Sequence, residues 1–257
     1  MSRVLCVHSF RGGAGKSNAS ANIAYTLAAR GARVAVIDTD LASPGIHALF
    51  GFEPGEFERS LDGYLWGDHG ITEAALDVGA RLNRPDGTAA LPDGRLWLVP
   101  ASLDAGDIAR MLREGYDVER LGEGIGELTA AHALDHVVLD THPGLDEETL
   151  LSMAIADAVL VLMRPDLQHY QGTAVTLRVA RRLEPPELSL AANMVPAAVD
   201  VAALTADLER TFDVPVAGCV PFADELVALG SRELVCVRSP DDPASVALHA
   251  IADRVSG

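Results

Sequence analysis

A glycine-rich stretch between an apolar run and a helix-forming segment constrains the fold of this chain more than any other feature. The apolar residues 4–8 precede the segment Phe-Arg-Gly-Gly-Ala-Gly-Lys-Ser-Asn at residues 10–18. A buried strand that ends in a glycine-rich turn and opens into a helix is the layout of a loop that binds phosphate groups. Glycine permits backbone conformations closed to other residues, so that successive N–H groups can point toward one anion. The stretch therefore predicts a strand–loop–helix unit of an α/β protein.

The residue types in this loop predict a nucleotide as its ligand. The Lys16 ammonium would contact the β- and γ-phosphates, and the Ser17 hydroxyl would hold Mg²⁺. Lys16 is the only lysine in the chain, where every other long basic side chain is arginine, which indicates that a compact ammonium is needed at this position. A glycine-rich turn without a ligand is the alternative. The predicted cofactor-binding residues of the loop are Gly12, Gly13, Ala14, Gly15, Lys16, Ser17 and Asn18.

The spacing of the loop resembles the deviant phosphate loop, K-G-G-x-G-K-[ST], of the ParA/MinD family of dimeric ATPases. In that family the first lysine reaches across the dimer to the partner's nucleotide. The present chain has Arg11 at that position. Arg11 either replaces the lysine or acts as an arginine finger in trans, and the sequence leaves both open. The resemblance implies ATP and Mg²⁺ as cofactors and an ATP-bound homodimer, with Lys16, Asp40 and Arg11 as the catalytic residues.

Two aspartates follow the second predicted strand, Arg33–Ile37. Asp38 and Asp40 would lie at the carboxyl end of that strand, where ligands bind in parallel sheets. The pattern Asp-x-Asp-x-x-x-Pro at residues 38–44 resembles the first switch of ParA/MinD ATPases. That resemblance implies that Asp40 orients the attacking water and that Asp38 lies in the outer shell of the metal. An acidic cap on the following turn is the alternative.

A third aspartate ends the predicted strand His136–Asp140. Its carboxylate would accept a hydrogen bond from a water on Mg²⁺. The following residues, Thr-His-Pro-Gly at 141–144, resemble the second switch of the family, commonly D-T-P-P-G, with His142 in place of a proline. Gly144 would turn its N–H toward a γ-phosphate. His142 either senses pH or a partner, or is a neutral loop histidine. Ser17, Asp38 and Asp140 are thus the predicted metal residues.

Two later segments resemble the part of the family's site that holds the nucleotide base. Asn193, at a predicted strand end, is similar to the family's adenine-contacting asparagine. The segment that contains Pro221, Phe222 and Asp224 is similar to its nucleotide-base loop.

Length and composition predict one large domain over residues 1–257. Apolar residues make up 49% of the chain, which fits buried parallel strands covered by helices. Strand and helix patterns alternate, so we expect a doubly wound, mainly parallel sheet with helices on both faces. No apolar run reaches the roughly 18–20 residues of a membrane span, and the first residues do not resemble a signal peptide. The sequence therefore predicts a cytoplasmic protein.

The spacing of the cysteines and the net charge argue against several functions of related proteins. Cys6, Cys219 and Cys236 are far apart and form no C-x-x-C pair, which argues against the family's iron–sulfur carriers and metal-coupled targeting ATPases. The net charge of −17 argues against binding nucleic acid through the overall field. Arginines 178, 181 and 182 leave a local face for nucleoid DNA open, with a solvated helix face as the alternative. Residues 249–257 lack the basic amphipathic helix that attracts anionic lipids, so membrane attachment by that route is not expected.

Local patterns between the motifs predict further elements. A helix is expected over residues 71–78, and turns at 83–87 and 91–94 frame a predicted hairpin whose inner strand is 95–99. Further helices are predicted at 103–113 and 118–133.

Together these features predict a ParA/MinD-like ATPase that dimerises on Mg-ATP and positions a cellular cargo. Slow hydrolysis, stimulated by a protein partner, would time the release of the dimer. Two rival functions remain open. One is a small-molecule ATP-dependent enzyme similar to dethiobiotin synthetase, and the other is a scaffold that binds ATP without hydrolysing it.

Overall fold

The computed structural model describes residues 2–91, 95–117 and 119–257. Eight strands form one sheet in the order β3-β4-β2-β5-β1-β6-β7-β8. All neighbouring strands are parallel except β3, which runs antiparallel to β4 at the sheet edge. The strands are β1 (Arg3–His8), β2 (Arg33–Thr39), β3 (Leu76–Asp77), β4 (Arg95–Val99), β5 (His136–Thr141), β6 (Ala158–Met163), β7 (Glu187–Val195) and β8 (Val216–Pro221).

Helices connect most of the strands, so each parallel pair is joined by a crossover. The α-helices are α1 (Lys16–Ala29), α2 (Leu61–Trp66), α3 (Ile71–Ala74), α4 (Ala105–Glu114), α5 (Glu119–His132), α6 (Glu147–Ala154), α7 (Leu167–Leu183), α8 (Val201–Phe212), α9 (Asp224–Leu229), α10 (Val235–Arg238) and α11 (Pro243–Val255). Short 3-10 helices occupy Ile46–Phe50 and Gly79–Arg81. Within the described ranges, the structure contains no helix that is both long enough and apolar enough to span a membrane.

The core has two halves, one on each face of the sheet. Apolar residues of α1, α10 and α11 pack on one face, and those of α5, α7 and α8 pack on the other. The central strands are buried on both sides and are rich in Val, Leu, Ile and Ala, as expected for a parallel sheet covered by helices. The predicted fold class, a doubly wound and mainly parallel sheet with helices on both faces, is confirmed.

Four local predictions differ from the structure or lie outside it. The helix predicted over 71–78 ends at Ala74, because residues 76–77 pair with β4 as a short edge strand. Part of the turn predicted at 91–94 and the predicted start of a helix at residue 118 lie outside the described residues. The helix predicted from 103 begins at Ala105, since the Asp104 side chain accepts from the backbone N–H groups of Gly106 and Asp107 and caps it.

Candidate functional site

The carboxyl ends of β1, β2 and β5 lie side by side in the middle of one sheet edge. β1 leads into the glycine loop at this edge. Asp38 on β2 and Asp140 on β5 stand at matched positions of these neighbouring strands. Both side chains are at most 1% exposed. The fold thus brings together the loop and two of the predicted metal residues.

The glycine loop opens into α1 with unused backbone donors. Gly15 occupies the cap position with φ +84°, and Gly13 also has a positive φ. A glycine cap has no side chain to accept from the first N–H groups of the helix, and the first turn, residues 16–19, contains no acidic residue. Those N–H groups are therefore available to an anion at the positive end of the helix dipole.

Gly15→Ala should destabilise the protein more than Gly13→Ala, although both glycines have a positive φ. A Cβ at Gly15 would lie 2.3 Å from Asn193 Nδ2, whereas a Cβ at Gly13 meets no described atom within 4 Å. The Gly13 variant loses about 1–2 kcal/mol through backbone strain alone. The Gly15 variant also displaces the Asn193 amide, which donates to Ala14 O at 2.8 Å. We expect it to lose about 2–4 kcal/mol, measured by urea unfolding without nucleotide. Equal losses would show that the Asn193 contact does not hold the loop.

Lys16 is a buried cation of the glycine loop. Lys16 is 7% exposed. Burial lowers the pKa of its ammonium, while the charges of Asp140, Asp40 and Asp38 oppose that shift. Within residues 2–91, 95–117 and 119–257, Lys16 makes neither a side-chain hydrogen bond nor an ion pair within 4 Å. A buried ammonium is costly unless an anion compensates it. The site therefore fits a polyphosphate.

The two buried carboxylates fit a divalent cation. Burial, and then the charge of Asp140, raise the pKa of Asp38 well above its usual range. Burial also raises the pKa of Asp140 to about 6, although hydrogen bonds from Ser17 and Ser20 and the charge of Lys16 lower it. Two carboxylates that repel each other in a dry site are stabilised by a cation.

Magnesium matches this donor set. Carboxylate and hydroxyl oxygens are the ligands that Mg²⁺ prefers, and it retains waters and phosphate oxygens in its shell. In the described part of the chain, no group of three His, Cys, Asp or Glu side chains is placed to hold a metal by itself. Mg²⁺ could be held by Ser17, with Asp38 and Asp140 behind it and phosphate oxygens as further ligands. This arrangement agrees with the two buried carboxylates and with the need for ligands from outside the chain.

Asp40 lies just beyond β2, at the border between the buried site and solvent. Its side chain is 15% exposed, and its Oδ1 accepts from Ser43 N at 3.0 Å. Its own N–H donates to Asp38 Oδ1 at 3.1 Å, which connects it to that buried carboxylate. Burial raises the pKa of Asp40, while the charges of His142 and Lys16 lower it. Its carboxylate is thus close enough to Lys16 to interact with the charge of that side chain.

The second switch is attached to the glycine loop in this conformation. Gly144 has φ +109°, and its N–H donates to Ser9 O at 3.2 Å. The Ser9 hydroxyl donates in turn to Arg11 O at 2.8 Å. The role predicted for Gly144, contact with a γ-phosphate, therefore requires that its N–H leave Ser9.

The residues predicted for the base lie together at one end of the loop. Asn193 on β7 is buried and bonds to the glycine loop, while Val195 on the same strand is the register partner of Pro221 on β8. Phe222 is exposed, and its N–H donates to Val195 O at 2.8 Å. Asp224 begins α9. The structure brings all four to the neighbouring strand ends, and it uses the Asn193 amide to hold the loop.

Arg11 lies on the outside of the glycine loop, away from the buried lysine. Residues 11–13 are exposed, and Arg11 and Gly12 line an open cleft of about 540 Å³ together with Arg164 and His169. No ion pair of the described residues includes Arg11. The other loop residue predicted to bind cofactor, Asn18, lies in the first turn of α1, where its carbonyl accepts from Asn22 Nδ2 at 2.8 Å.

Two side chains in the site were not identified from the sequence. Ser20 donates to Asp140 Oδ1 at 2.9 Å, and its i,i+3 spacing from Ser17 on α1 is a signal that could have found it. His8 is fully buried, and its Nδ1 donates to Thr141 Oγ1 at 2.9 Å, because that hydroxyl gives its own proton to Val7 O. Burial lowers the pKa of His8 to about 3, with the charges of Lys16 and His142 acting in the same direction. His8 is therefore a neutral link between β1 and β5.

An acidic cleft of about 530 Å³ lies beside both switches, and one of its carboxylates has a strongly shifted pKa. Burial, and then the charge of Asp146, raise the pKa of Glu148 to about 7. A carboxyl group whose pKa is raised in the folded state stabilises the fold at pH values below its ordinary pKa. That stabilisation is lost as the pH rises through about 7, the pKa of Glu148 in the folded state.

Glu148→Gln should therefore unfold at a higher temperature than the parent protein at about pH 8, because it removes a carboxylate whose charged form the fold disfavours. The difference should vanish toward about pH 4, where Glu148 is protonated in the folded and the unfolded state. Glu147→Gln, at the exposed neighbouring position, is the matched control. A pH-independent difference between the parent and Glu148→Gln would contradict the prediction.

This geometry defines a nucleotide-binding protein of the phosphate-loop class. A family model described as the CobQ/CobB/MinD/ParA nucleotide binding domain matches residues 5–235. The chain belongs to this family, and the resemblance to ParA/MinD proteins stated from the sequence is confirmed.

Curated relatives are similar over most of the chain. An uncharacterized ATP-binding protein of Methanocaldococcus jannaschii is 27% identical over 261 residues, which cover 100% of this chain and 89% of that protein. The flagellum site-determining protein YlxH of Helicobacter pylori is 26% identical over 193 residues, which cover 75% of this chain and 58% of YlxH.

Solved structures share the fold at low identity. The septum site-determining protein MinD of Pyrococcus horikoshii, complexed with Mg-ADP, has a TM-score of 0.79 and 19% identity, covering 99% of this chain and 96% of that one. Cobyrinic acid a,c-diamide synthase of Mycobacterium smegmatis, with a bound ATP analogue and magnesium, has a TM-score of 0.74 and 20% identity, covering 98% and 93%. The ligands of these neighbours agree with the predicted cofactors, ATP and Mg²⁺.

Proposed function

We propose that this protein is an ATP-hydrolysing switch that pairs with a second copy of itself on Mg-ATP and thereby positions a cellular cargo. The observation that carries the proposal is the buried Lys16, which has no ion-pair partner among the described residues, beside the register-matched carboxylates Asp38 and Asp140. Such a site is electrostatically incomplete until a polyphosphate and a cation enter it together. The site-determining relatives YlxH and MinD support a role in positioning.

In this proposal the residues of the chain have separate tasks. The N–H groups of residues 12–15 and Lys16 bind the phosphates, and Ser17, with Asp38 and Asp140 behind it, holds the cation. Bound Mg²⁺ would neutralise phosphate oxygens as charge develops during hydrolysis. Asp40 accepts a hydrogen bond from the attacking water and orients it in line. The Gly144 N–H leaves Ser9 O and donates to the terminal phosphate, which distinguishes ATP from ADP.

The outer face of the loop supports pairing that depends on nucleotide. Arg11 and Arg164 line the same open cleft, with Asp166 as its only carboxylate among the described lining residues. Arg164 is paired with Asp166 at 3.3 Å, so Arg11 would carry the positive charge that the partner's bound triphosphate attracts across a two-fold axis. Arg11 then reaches the partner's nucleotide in trans, where a guanidinium can contact two phosphate oxygens at once.

The arginines of α7 that were considered for DNA binding are partly used within the fold. Arg181 is used structurally, since its guanidinium donates to Asp213 O at 2.9 Å and to Phe212 O at the end of α8. Arg178 and Arg182 remain on the helix surface, in a chain with a net charge of −17. We therefore propose a protein partner as the activator, and DNA contact would have to come from a paired arrangement of these arginines.

A small-molecule ATP-dependent enzyme is the second candidate, because a cleft adjoins Asp40. Leu41, Ala42 and His142 line the acidic cleft described above, together with Asp146 and Glu148. Its carboxylates would suit an amine or another cation and would repel a carboxylate substrate. ATP turnover by such an enzyme would depend on an added metabolite.

Measurements of ATP hydrolysis and of the molar mass of the protein together test the proposal. ATP turnover is measured for the protein alone, with DNA, with anionic liposomes and with candidate protein partners, and molar mass is measured by light scattering with ADP, with ATP and without nucleotide. We expect a monomer without ATP, a dimer with ATP, and slow turnover that a partner accelerates. A dimer that is equally tight without nucleotide, or ATP binding that never leads to turnover, would overturn it.

A further inference from the structure

A histidine of the second switch lies between two carboxylates from different parts of the site. His142 Nε2 is 3.9 Å from Asp40 Oδ1, and His142 Nδ1 is 3.3 Å from Asp146 Oδ2. Nδ1 is shielded from solvent. Among the described residues, His142 is the only basic side chain within 4 Å of the Asp40 carboxylate. One ring therefore faces the carboxylate proposed to orient water and a second carboxylate that belongs to α6.

The α6 side of this arrangement is firmly held. Asp146 caps α6, and its Oδ1 accepts from Thr149 N at 2.8 Å, which leaves Oδ2 facing His142. The Thr149 hydroxyl also donates to His142 O at 3.3 Å. The backbone of His142 is thus bonded to the first turn of α6, and its ring lies against the Asp146 carboxylate, where Nδ1 makes no hydrogen bond within the described residues.

The Asp40 side is held mainly from within its own loop. The Asp40 N–H donates to Asp38, and the Asp40 carboxylate accepts from Ser43 N. In residues 2–91, 95–117 and 119–257, no other element brings a side-chain hydrogen bond or ion pair to that carboxylate. Among the described residues, His142 is therefore the side chain through which another element can act on the direction of this carboxylate.

We propose that His142 is a positioning residue that connects the two switches, holding Asp40 in a direction set by the start of α6. The Gly144 N–H, two residues along, is bonded to Ser9 O at 3.2 Å. When that N–H turns toward a terminal phosphate, the ring of His142 stays against Asp146 and keeps Asp40 in the direction set by α6. The inference rests on the proposed function for the task of Asp40. The proline common at this position of the resembling motif could not make this link, because its ring nitrogen is part of the backbone and its side chain offers no polar atom.

Variants of His142 whose side chains differ in length test this link. Glutamine places its amide where His142 Nε2 stands and can contact Asp40, whereas asparagine reaches only the Nδ1 position near Asp146. Alanine reaches neither. Asp146→Ser retains a helix cap and removes the carboxylate, so α6 is preserved while the support of the ring is lost.

Hydrogen–deuterium exchange without nucleotide gives the first readout. The amides of Ser43 and Gly45 are bonded to the carboxylates of Asp40 and Asp38, so their exchange reports the order of the first switch. We expect about tenfold faster exchange in His142→Ala, His142→Asn and Asp146→Ser, and parent-like exchange in His142→Gln. Identical exchange in all five proteins would overturn the link, whether or not the protein hydrolyses ATP.

Steady-state ATP hydrolysis gives the second readout. We expect His142→Ala and His142→Asn to lower kcat about tenfold with KM for ATP within about twofold, and His142→Gln to keep at least about a third of kcat. The double variant His142→Ala/Asp146→Ser should be no slower than His142→Ala, because both act through one connection. Additive losses, or equal loss with asparagine and glutamine, would overturn the positioning role. A parent protein that hydrolyses no ATP would instead refute the proposed function and leave the exchange result to decide the link.

Discussion

Lys16→Ala is expected to lose at least about a hundredfold in affinity for Mg-ATP, while its nucleotide-free form unfolds at the same or a higher temperature. The affinity falls because the variant lacks the ammonium that meets the phosphates. The stability does not fall because burial already disfavours the charged form of this side chain, as its lowered pKa shows. Fluorescence titration with a labelled ATP analogue and thermal unfolding measure the two effects.

The matched control is Lys16→Arg, which keeps the charge and changes its shape. A planar guanidinium is larger than the ammonium and hydrogen-bonds in a fixed fork, so this variant should recover little of the lost affinity. ATP affinity within about threefold of the parent in Lys16→Ala would remove the basis for a polyphosphate site at this loop.

Asp40→Ala is expected to bind Mg-ATP with nearly parental affinity, to lose at least about a hundredfold in turnover, and to remain dimeric on ATP. Asp40 lies beyond the buried carboxylates Asp38 and Asp140. Its carboxylate accepts from Ser43 N and its N–H donates to Asp38 Oδ1, and neither bond is to the glycine loop. Its removal should therefore spare binding and pairing while it abolishes the orientation of water. Size-exclusion chromatography with ATP, together with a phosphate-release assay, checks this result.

Arg11→Ala is the complementary control, because Arg11 is exposed on the outer face of the loop. This variant should bind ATP as a monomer and lose both pairing and turnover. If Asp40→Ala were always monomeric with ATP, or if Arg11→Ala paired normally, the proposed switch would be wrong.

The sheet and its site were predictable because their signals are local and strong. The apolar strands β2 and β5 carry Asp38 and Asp140 next to their last residues, and parallel neighbours place such ends at one sheet edge. The glycine loop has a spacing that only a few backbone arrangements accommodate. The prediction therefore found the main elements and the residues that gather around Lys16.

The remaining features depend on packing between distant segments. Residues 76–77 form an edge strand because β4 offers them unpaired backbone groups, which outweighs the helical pattern of 71–78. The Asn193 amide meets Ala14 from a strand far along the chain, so no local pattern predicts that bond. His8 was missed for the same reason, since its partner Thr141 comes from β5.

The repulsion between Asp38 and Asp140 has a consequence for the lifetime of the protein. Without a cation and a nucleotide the folded chain is less stable, and each bound ligand shifts the unfolding equilibrium by mass action. The globally unfolded fraction, on which proteases act, should then rise when cellular ATP falls. The abundance of the protein would thus follow the energy supply of the cell, even with constant synthesis.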